Sequence, residues 1–159
     1  MPNFKRPESV LIVVYAVDSR RVLMLRRNDD SAFWQSVSGS LEPDETALQA
    51  AEREVAEELG ISIVRQNLTL VDCKKSIDFE IFPQFRHKYA ANITHCHEHW
   101  FLLPLPNECK VRLTEHSDYR WFSPESAVKL TKSWNNALAI EEFLLKKITQ
   151  KRGNLNGRP

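Results

Sequence analysis

Three glutamates, Glu54, Glu57 and Glu58, stand at i, i+3 and i+4. On a helix turning 100° per residue they fill an arc of about 100° along one edge. Like charges at this spacing oppose an isolated helix by a few tenths of a kcal/mol per pair, so the cluster is unfavourable until cations neutralise it. Hard divalent cations do this best. Mg²⁺ takes oxygen ligands, keeps several waters and is usually completed by substrate phosphates. Such an ion also lowers the pKa of a bound water and polarises a phosphoryl oxygen, which makes attack of water on phosphorus feasible at neutral pH. A bare Glu-x-x-Glu-Glu is equally the pattern of a solvated acidic face, so the spacing alone does not choose.

The elements that must hold these carboxylates follow from the local pattern. Helical periodicity begins at Thr46, with Leu48, Ala51, Val55 and Leu59 as one apolar stripe displaced from the three glutamates. Thr46 and Gln49 form a capping box, and Gly60 stands where a left-handed C-terminal cap is wanted. Residues 10–16 and 21–26 read as a hairpin around the Asp18-Ser19-Arg20 turn, and residues 33–38 as a further short strand. Strands are expected at 68–74, 77–82, 100–105 and 119–122, giving a mixed sheet. A second helix is expected over 133–148, capped by Ser133 and buried through Ala137, Ile140, Leu144 and Ile148. Residues 150–159 read as a flexible tail after a single domain over 5–149.

The chain has 159 residues and a formal net charge of +1. It is long enough to bury a core without disulfides, and no global field draws it to nucleic acid or membrane. Any polyanion must be held locally. Cys73, Cys96 and Cys109 are odd in number and contain no CxxC, which favours a reducing compartment, the cytoplasm by default. The longest apolar run, 10–17, is too short to span a bilayer.

The frame around the glutamates is more specific than their spacing. Gly39, five residues, Glu45, seven residues, Arg53-Glu54, the aliphatic Val55, one residue, Glu57-Glu58, one residue, Gly60 and the aliphatic Ile61 follow in fixed register. They reproduce a complete Nudix box, and the chain thereby resembles a Nudix hydrolase. The resemblance implies an α/β/α sandwich with a central mixed β-sheet, and hydrolysis of a nucleoside diphosphate linked to another moiety with Mg²⁺ or Mn²⁺. It also implies metal binding by Glu54 and Glu58, a base at Glu57, and structural support from Gly39, Glu45 and Arg53. The planar fork of a guanidinium suits Arg53 to tie Glu45 and its long loop to the helix.

Outside the box, Arg21-Val-Leu-Met-Leu, Phe33-Trp-Gln-Ser-Val, Phe79-Glu-Ile-Phe82, Arg86-His87, Thr114-Glu-His116 and Thr131-Lys-Ser-Trp134 resemble the dihydroneopterin triphosphate diphosphatase branch. That branch converts 7,8-dihydroneopterin triphosphate to the monophosphate and pyrophosphate in the folate pathway. The likeness implies Glu115 as a further metal ligand. Lys5 and Arg27 are candidates for the triphosphate, and Ser38, Phe79, Glu80, Ile81, Phe82 and Ser133 for the pterin slot. The expected partner is thus a small pterin or nucleoside triphosphate, with no sign of a nucleic-acid, membrane or protein partner. Other substrates for the same chemistry are a dinucleoside polyphosphate, an oxidised nucleotide or a capped RNA. A non-catalytic sensor is disfavoured, because sensing has no chemical need for three clustered carboxylates. His95, His97 and His99 would share one strand face, but no closing Cys or His follows at a usual zinc spacing. Arg86-His87-Lys88 reads as a solvated basic turn.

Overall fold

β1 (Glu8–Ala16) is β-branched and apolar on both of its faces, the pattern of a strand covered on each side. In the computed structural model, which describes residues 3–145, it lies in the middle of the sheet. One edge pairs in parallel with β6 (His95–Leu105), from Glu8↔His97 to Ala16↔Leu105. The other edge is divided. β2 (Val22–Arg27) meets it antiparallel at Tyr15↔Val22, and β4 (Val37–Ser40) takes over from Ile12↔Val37 to Ser9↔Ser40. β3 (Trp34–Gln35) pairs with β2 at Leu25 and Arg26, so the stretch 34–40 changes partner strand at Ser36. β5 (Val71–Glu80) flanks β6 and β7 (His116–Phe122) flanks β2, both antiparallel.

Alternation along the strands divides the apolar residues between two layers. Val10, Ile12, Val14, Leu23, Leu25 and Phe101 pack with Val55 and Leu59 of α1 (Ala47–Leu59). Leu11, Val13, Val22, Met24 and Trp100 pack on the other face with Ala127 of α2 (Pro124–Leu130) and with Ala139 and Ile140 of α3 (Trp134–Ile140). This is the expected α/β/α sandwich around a mixed sheet.

Several elements differ from the sequence expectations: the stretch expected as one strand over 33–38 is divided between β3 and β4 at the change of partner, and β7 begins at His116 instead of Tyr119. Leu48 is 45% exposed, because the buried arc of α1 is rotated toward Ala50, Glu54 and Glu58 and leaves Leu48 at its edge. The two strands expected at 68–74 and 77–82 are one strand, β5. Its register shifts between Asp72 and Ser76, where Lys74 takes a positive φ of 53°. β6 starts at His95 instead of Trp100. The second helix is shorter than expected: α3 passes into a π-helical turn at 141–145, with Ile140 and Leu144 buried and Ala137 half-buried. Ile148 and the expected tail lie outside the described residues. α2, capped by Ser123 with a proline in its first turn, was not expected.

Candidate active site

The capping box predicted for α1 is present, with Gln49 N donating to Thr46 Oγ1 and Thr46 N to Gln49 Oε1. Gly60 closes the helix at φ 70°. Arg53 makes the expected fork: Nε and Nη2 each donate to Glu45 at 2.8 Å, and Nη2 also reaches the Ser40 carbonyl at 2.9 Å. Glu45 in turn accepts from Glu42 N at 2.9 Å. The Arg53 guanidinium holds the Glu45 carboxyl below its ordinary range. The loop between β4 and α1 is thereby fixed to both elements. Gly39 is required by close approach, since a Cβ there would fall on Glu54 Oε2.

The rotation of α1 has a chemical consequence: Glu54 and Glu58 are buried. Burial, followed by hydrogen bonding to Glu57, pushes Glu54 up to about 8, while Arg53 opposes this. Burial, followed by the charges of Glu54 and Glu115, pushes Glu58 up to about 9. Glu58 Oε1 and His116 Nδ1 stand 4.0 Å apart, and each lacks a hydrogen-bond partner among the described residues. Removing carboxylates from water and leaving them beside one another is costly. A divalent cation answers both costs, so the donor set fits the ion that the box implies. No three His, Cys, Asp or Glu side chains among the described residues converge into an all-protein metal cage. That suits Mg²⁺, which is held through one or two carboxylates plus water and substrate phosphates.

Glu57 occupies the rim. Its side chain is 55% exposed and lies 3.3 Å from Arg53 Nη1, while its backbone carbonyl accepts from Thr114 Oγ1 at 2.8 Å. That bond ties the 110s loop to α1, and Asn28 Nδ2 donates to the Glu115 carbonyl at 2.7 Å. The loop therefore delivers Glu115 and His116 to a cavity that Glu54 and Glu58 also line. Across it stand Lys5, Arg27 and Lys88. Burial and then the neighbouring charges of Lys5 and Arg27 depress the Lys88 pKa. Crowded cations thus face crowded carboxylates, and a polyphosphate with its metal satisfies both.

A second cavity shares Lys5, Arg27, Lys88, Ser38 and Gly39 with the first. Its far end is aromatic. Phe33, Phe82 and Phe85 form a ring cluster with centroids 6.0 to 6.1 Å apart, joined by Phe79, Ile81 and Tyr89. Arg27 lies over Phe85 at 4.4 Å and Lys88 over the same ring at 5.2 Å, which orients the cations at the junction. Asp29 receives Arg27 Nη2 at 2.6 Å and Nε at 2.7 Å.

Of the residues expected to bind substrate, Lys5, Arg27, Ser38, Phe79, Ile81, Phe82 and Ser133 line this continuous cleft. Glu80 lines neither cavity and is exposed, because alternation at the end of β5 turns it away from Phe79 and Ile81. Ser133 caps α3 by accepting from Asn136 N at 3.3 Å and also donates to Asn135 Oδ1 at 2.6 Å. The expectation for the basic turn is corrected too: Lys88 faces the cleft, at the end of a 3-10 turn over Pro83–Lys88.

Sequence reasoning missed Lys88, Phe85, Glu98, Asn135 and His116. On β6 the three histidines drew attention to the wrong face. His97 Nδ1 pairs with Asp78 at 2.7 Å and His99 Nε2 with Glu8 at 2.7 Å, while the alternate residues Cys96 and Glu98 turn inward and are buried. The usable signal was the alternation itself: Glu98 shares a strand face with Trp100.

Comparisons with known proteins agree with this geometry. The NUDIX domain family model matches residues 5–143. The chain is 53% identical over 142 residues to the dihydroneopterin triphosphate diphosphatase of Escherichia coli (strain K12), covering 89% of this chain and 95% of that one. It is 52% identical over 144 residues to the Haemophilus influenzae protein of the same name, covering 91% of each. The solved structure of the E. coli dihydroneopterin triphosphate pyrophosphohydrolase superposes with a TM-score of 0.88 at 52% identity, over 90% of this chain and 98% of that one. Both the carboxylate helix and the sandwich that carries it therefore have the same origin, and the chain belongs to the Nudix family.

Proposed function

We propose that the protein hydrolyses 7,8-dihydroneopterin triphosphate to dihydroneopterin monophosphate and pyrophosphate, with Mg²⁺ as the working ion and Mn²⁺ as a substitute. The enzyme is a Nudix pyrophosphohydrolase. One observation carries the choice of substrate class: a single cleft has a carboxylate wall at one end and a polar aromatic chamber at the other, with Lys5, Arg27 and Lys88 common to both. A flat heterocycle joined to a triphosphate has the same order of parts.

In this reading Lys5, Arg27 and Lys88 grip the phosphate chain and set the scissile anhydride beside α1. Glu54 and Glu58 would hold a divalent ion from α1, and Glu115, on the wall of the same cavity, would add a further oxygen, with waters and phosphate oxygens completing the coordination; Gly39 leaves the space that Glu54 occupies. When bound, the ion supplies charge neutralisation and a more acidic water. Glu57, at the solvent edge beside Glu54, takes the proton from the attacking water and returns it to solvent. Arg53 keeps Glu57 turned toward the cluster and anchors the loop through Glu45. Ser38, Phe79, Ile81, Phe82 and Ser133 enclose the pterin. The unit that does this is a single domain over residues 5–149, and its setting is the cytoplasm, in keeping with an odd number of widely spaced cysteines and no CxxC. No helix among the described residues is long and apolar enough to cross a membrane.

The test is pyrophosphate release from a panel of triphosphates and dinucleoside polyphosphates with Mg²⁺. The pterin compound should be turned over fastest. Faster hydrolysis of an ordinary nucleotide or a dinucleotide would overturn the assignment. Chelation of divalent ions should abolish turnover, and Mg²⁺ should restore it.

A further inference from the structure

The floor of the aromatic chamber holds a buried carboxylate that the chemistry above does not use. Glu98 is 3% exposed, lines the chamber, and accepts two hydrogen bonds at Oε1, from Asn135 Nδ2 at 2.9 Å and Trp100 Nε1 at 3.0 Å. Both donors are neutral. Asn135 cannot turn its amide over without loss, because Ser133 Oγ donates to its Oδ1 at 2.6 Å and so commits the NH₂ group to Glu98. The same serine caps α3, which makes the orientation part of the fold. Asn136, the next residue, accepts from Ser36 N at 2.7 Å and donates to Ser36 Oγ at 3.0 Å, fixing α3 to the point where the chain passes from β3 to β4. One carboxylate oxygen is therefore locked by protein donors. The other, Oε2, receives no hydrogen bond from the described residues. Oε2 stays accessible in a side chain that is otherwise buried in the chamber lining, so it is the oxygen left to accept a donor from the ligand.

We infer that Glu98 is the specificity-determining residue of the chamber, selecting a flat heterocycle that presents two adjacent N–H donors on one edge. The 2-amino-4-oxopyrimidine ring of a pterin has that edge, and so does guanine. Adenine offers an amino donor beside a ring-nitrogen acceptor, which would set a lone pair against the carboxylate. The surrounding rings of Phe33, Phe82 and Phe85 give the chamber an apolar wall that does not distinguish one flat base from another, so the choice among bases falls to this polar floor. The inference rests on the proposed reading insofar as the chamber receives the base of a triphosphate, but it does not require that the base be a pterin.

The experiment compares pyrophosphate release from GTP, ITP and ATP by the wild-type enzyme and by Glu98→Gln, with the pterin triphosphate as a fourth substrate. Wild type should rank GTP above ITP, which lacks the 2-amino donor, and ITP above ATP in kcat/KM. In Glu98→Gln the amide oxygen must stay with Trp100 and Asn135, so the NH₂ group faces the chamber as a donor. Activity on GTP and on the pterin compound should then fall on the order of 100-fold, while activity on ATP stays within a few-fold or rises. An unchanged GTP-to-ATP ratio in the variant would overturn the inference, as would equal wild-type rates on GTP and ITP. The wild-type comparison needs no variant and holds even if Glu98→Gln proves unstable. A poor pterin substrate combined with GTP above ITP above ATP would defeat the proposed function and leave the role of Glu98 standing.

Discussion

Glu58 and Glu98 are buried carboxyls at opposite ends of one cleft, and the protein surrounds them in contrary ways. Glu58 is placed among other carboxylates, with Oε1 and the neighbouring His116 Nδ1 both unpartnered among the described residues. Glu98 is provided with two neutral donors fixed by a third residue. Burial raises the pKa of both. Like charges raise Glu58 further, whereas at Glu98 the hydrogen bonds from Asn135 and Trp100 work against the shift. The difference teaches what each end is built to receive. A group surrounded by its own charge awaits a cation, and a group half satisfied by N–H donors awaits more of them.

The largest test of this contrast is at the cation end. Glu58→Gln and Glu57→Gln should each lower kcat by roughly 10³-fold on every triphosphate, leaving the ranking of bases untouched and the circular dichroism spectrum unchanged. A change of base preference in either variant would break the division of labour. Lys88→Ala, at the junction, should lower kcat/KM about tenfold for all triphosphates alike, since it removes a phosphate partner and no base contact. Steady-state kinetics across the same panel separates the two patterns.

A smaller effect concerns stability. In the metal-free protein Glu54 and Glu58 keep their protons up to about 8 and about 9, whereas the unfolded chain releases them near 4.5. The native state therefore binds more protons than the unfolded state across that interval, and stability falls as pH rises. His116 acts in the opposite sense, because burial and Arg27 depress it, but its contribution is largely complete just above its ordinary value of 6.5. Between about pH 7 and 8.5 the metal-free Tm should drop by a few degrees. Saturating Mg²⁺ should flatten the slope by keeping both carboxylates ionised. Calorimetry with and without the ion measures this. A metal-free Tm that rises over the interval would contradict the reading of the acidic wall. Last, Arg53→Lys loses the bidentate fork to Glu45 and should cost about 1–3 kcal/mol in urea denaturation, with no shift in base preference.

The two ends also differed in how far they could be read from the residue string. The acidic wall is contiguous: Glu54, Glu57 and Glu58 lie within five positions, their caps stand at Thr46 and Gly60, and their support comes from Gly39, Glu45 and Arg53. Within one helix the backbone period sets the angles between side chains, so spacing was enough to predict an edge of oxygens. The chamber is assembled from β1, the β3–β4 stretch, β5, the 3-10 turn, β6 and α3. Its decisive contacts cross long stretches of chain, as between Ser36 and Asn136, 100 positions apart, and between Glu98 and Asn135, 37 apart. Pattern along the sequence gave Phe79, Ile81 and Phe82 a place but wrongly kept Glu80 with them, and it put Lys88 in solvent.

By itself, then, the order of residues determined the sandwich class, the carboxylate helix with its caps, and the anhydride chemistry. The helix and its caps depend on periodicity and turn geometry that act over a few residues, the sandwich class on alternation together with the likeness to the Nudix box, and the anhydride chemistry on that likeness. Only the tertiary structure decided that α1 rotates to bury Glu54 and Glu58, and that β6 presents Glu98 inward and its histidines outward. Only there do three separated cations meet at the waist of one cleft. Those outcomes depend on which strand lies beside which and on what covers each face, conditions set by packing among distant segments and by no local rule.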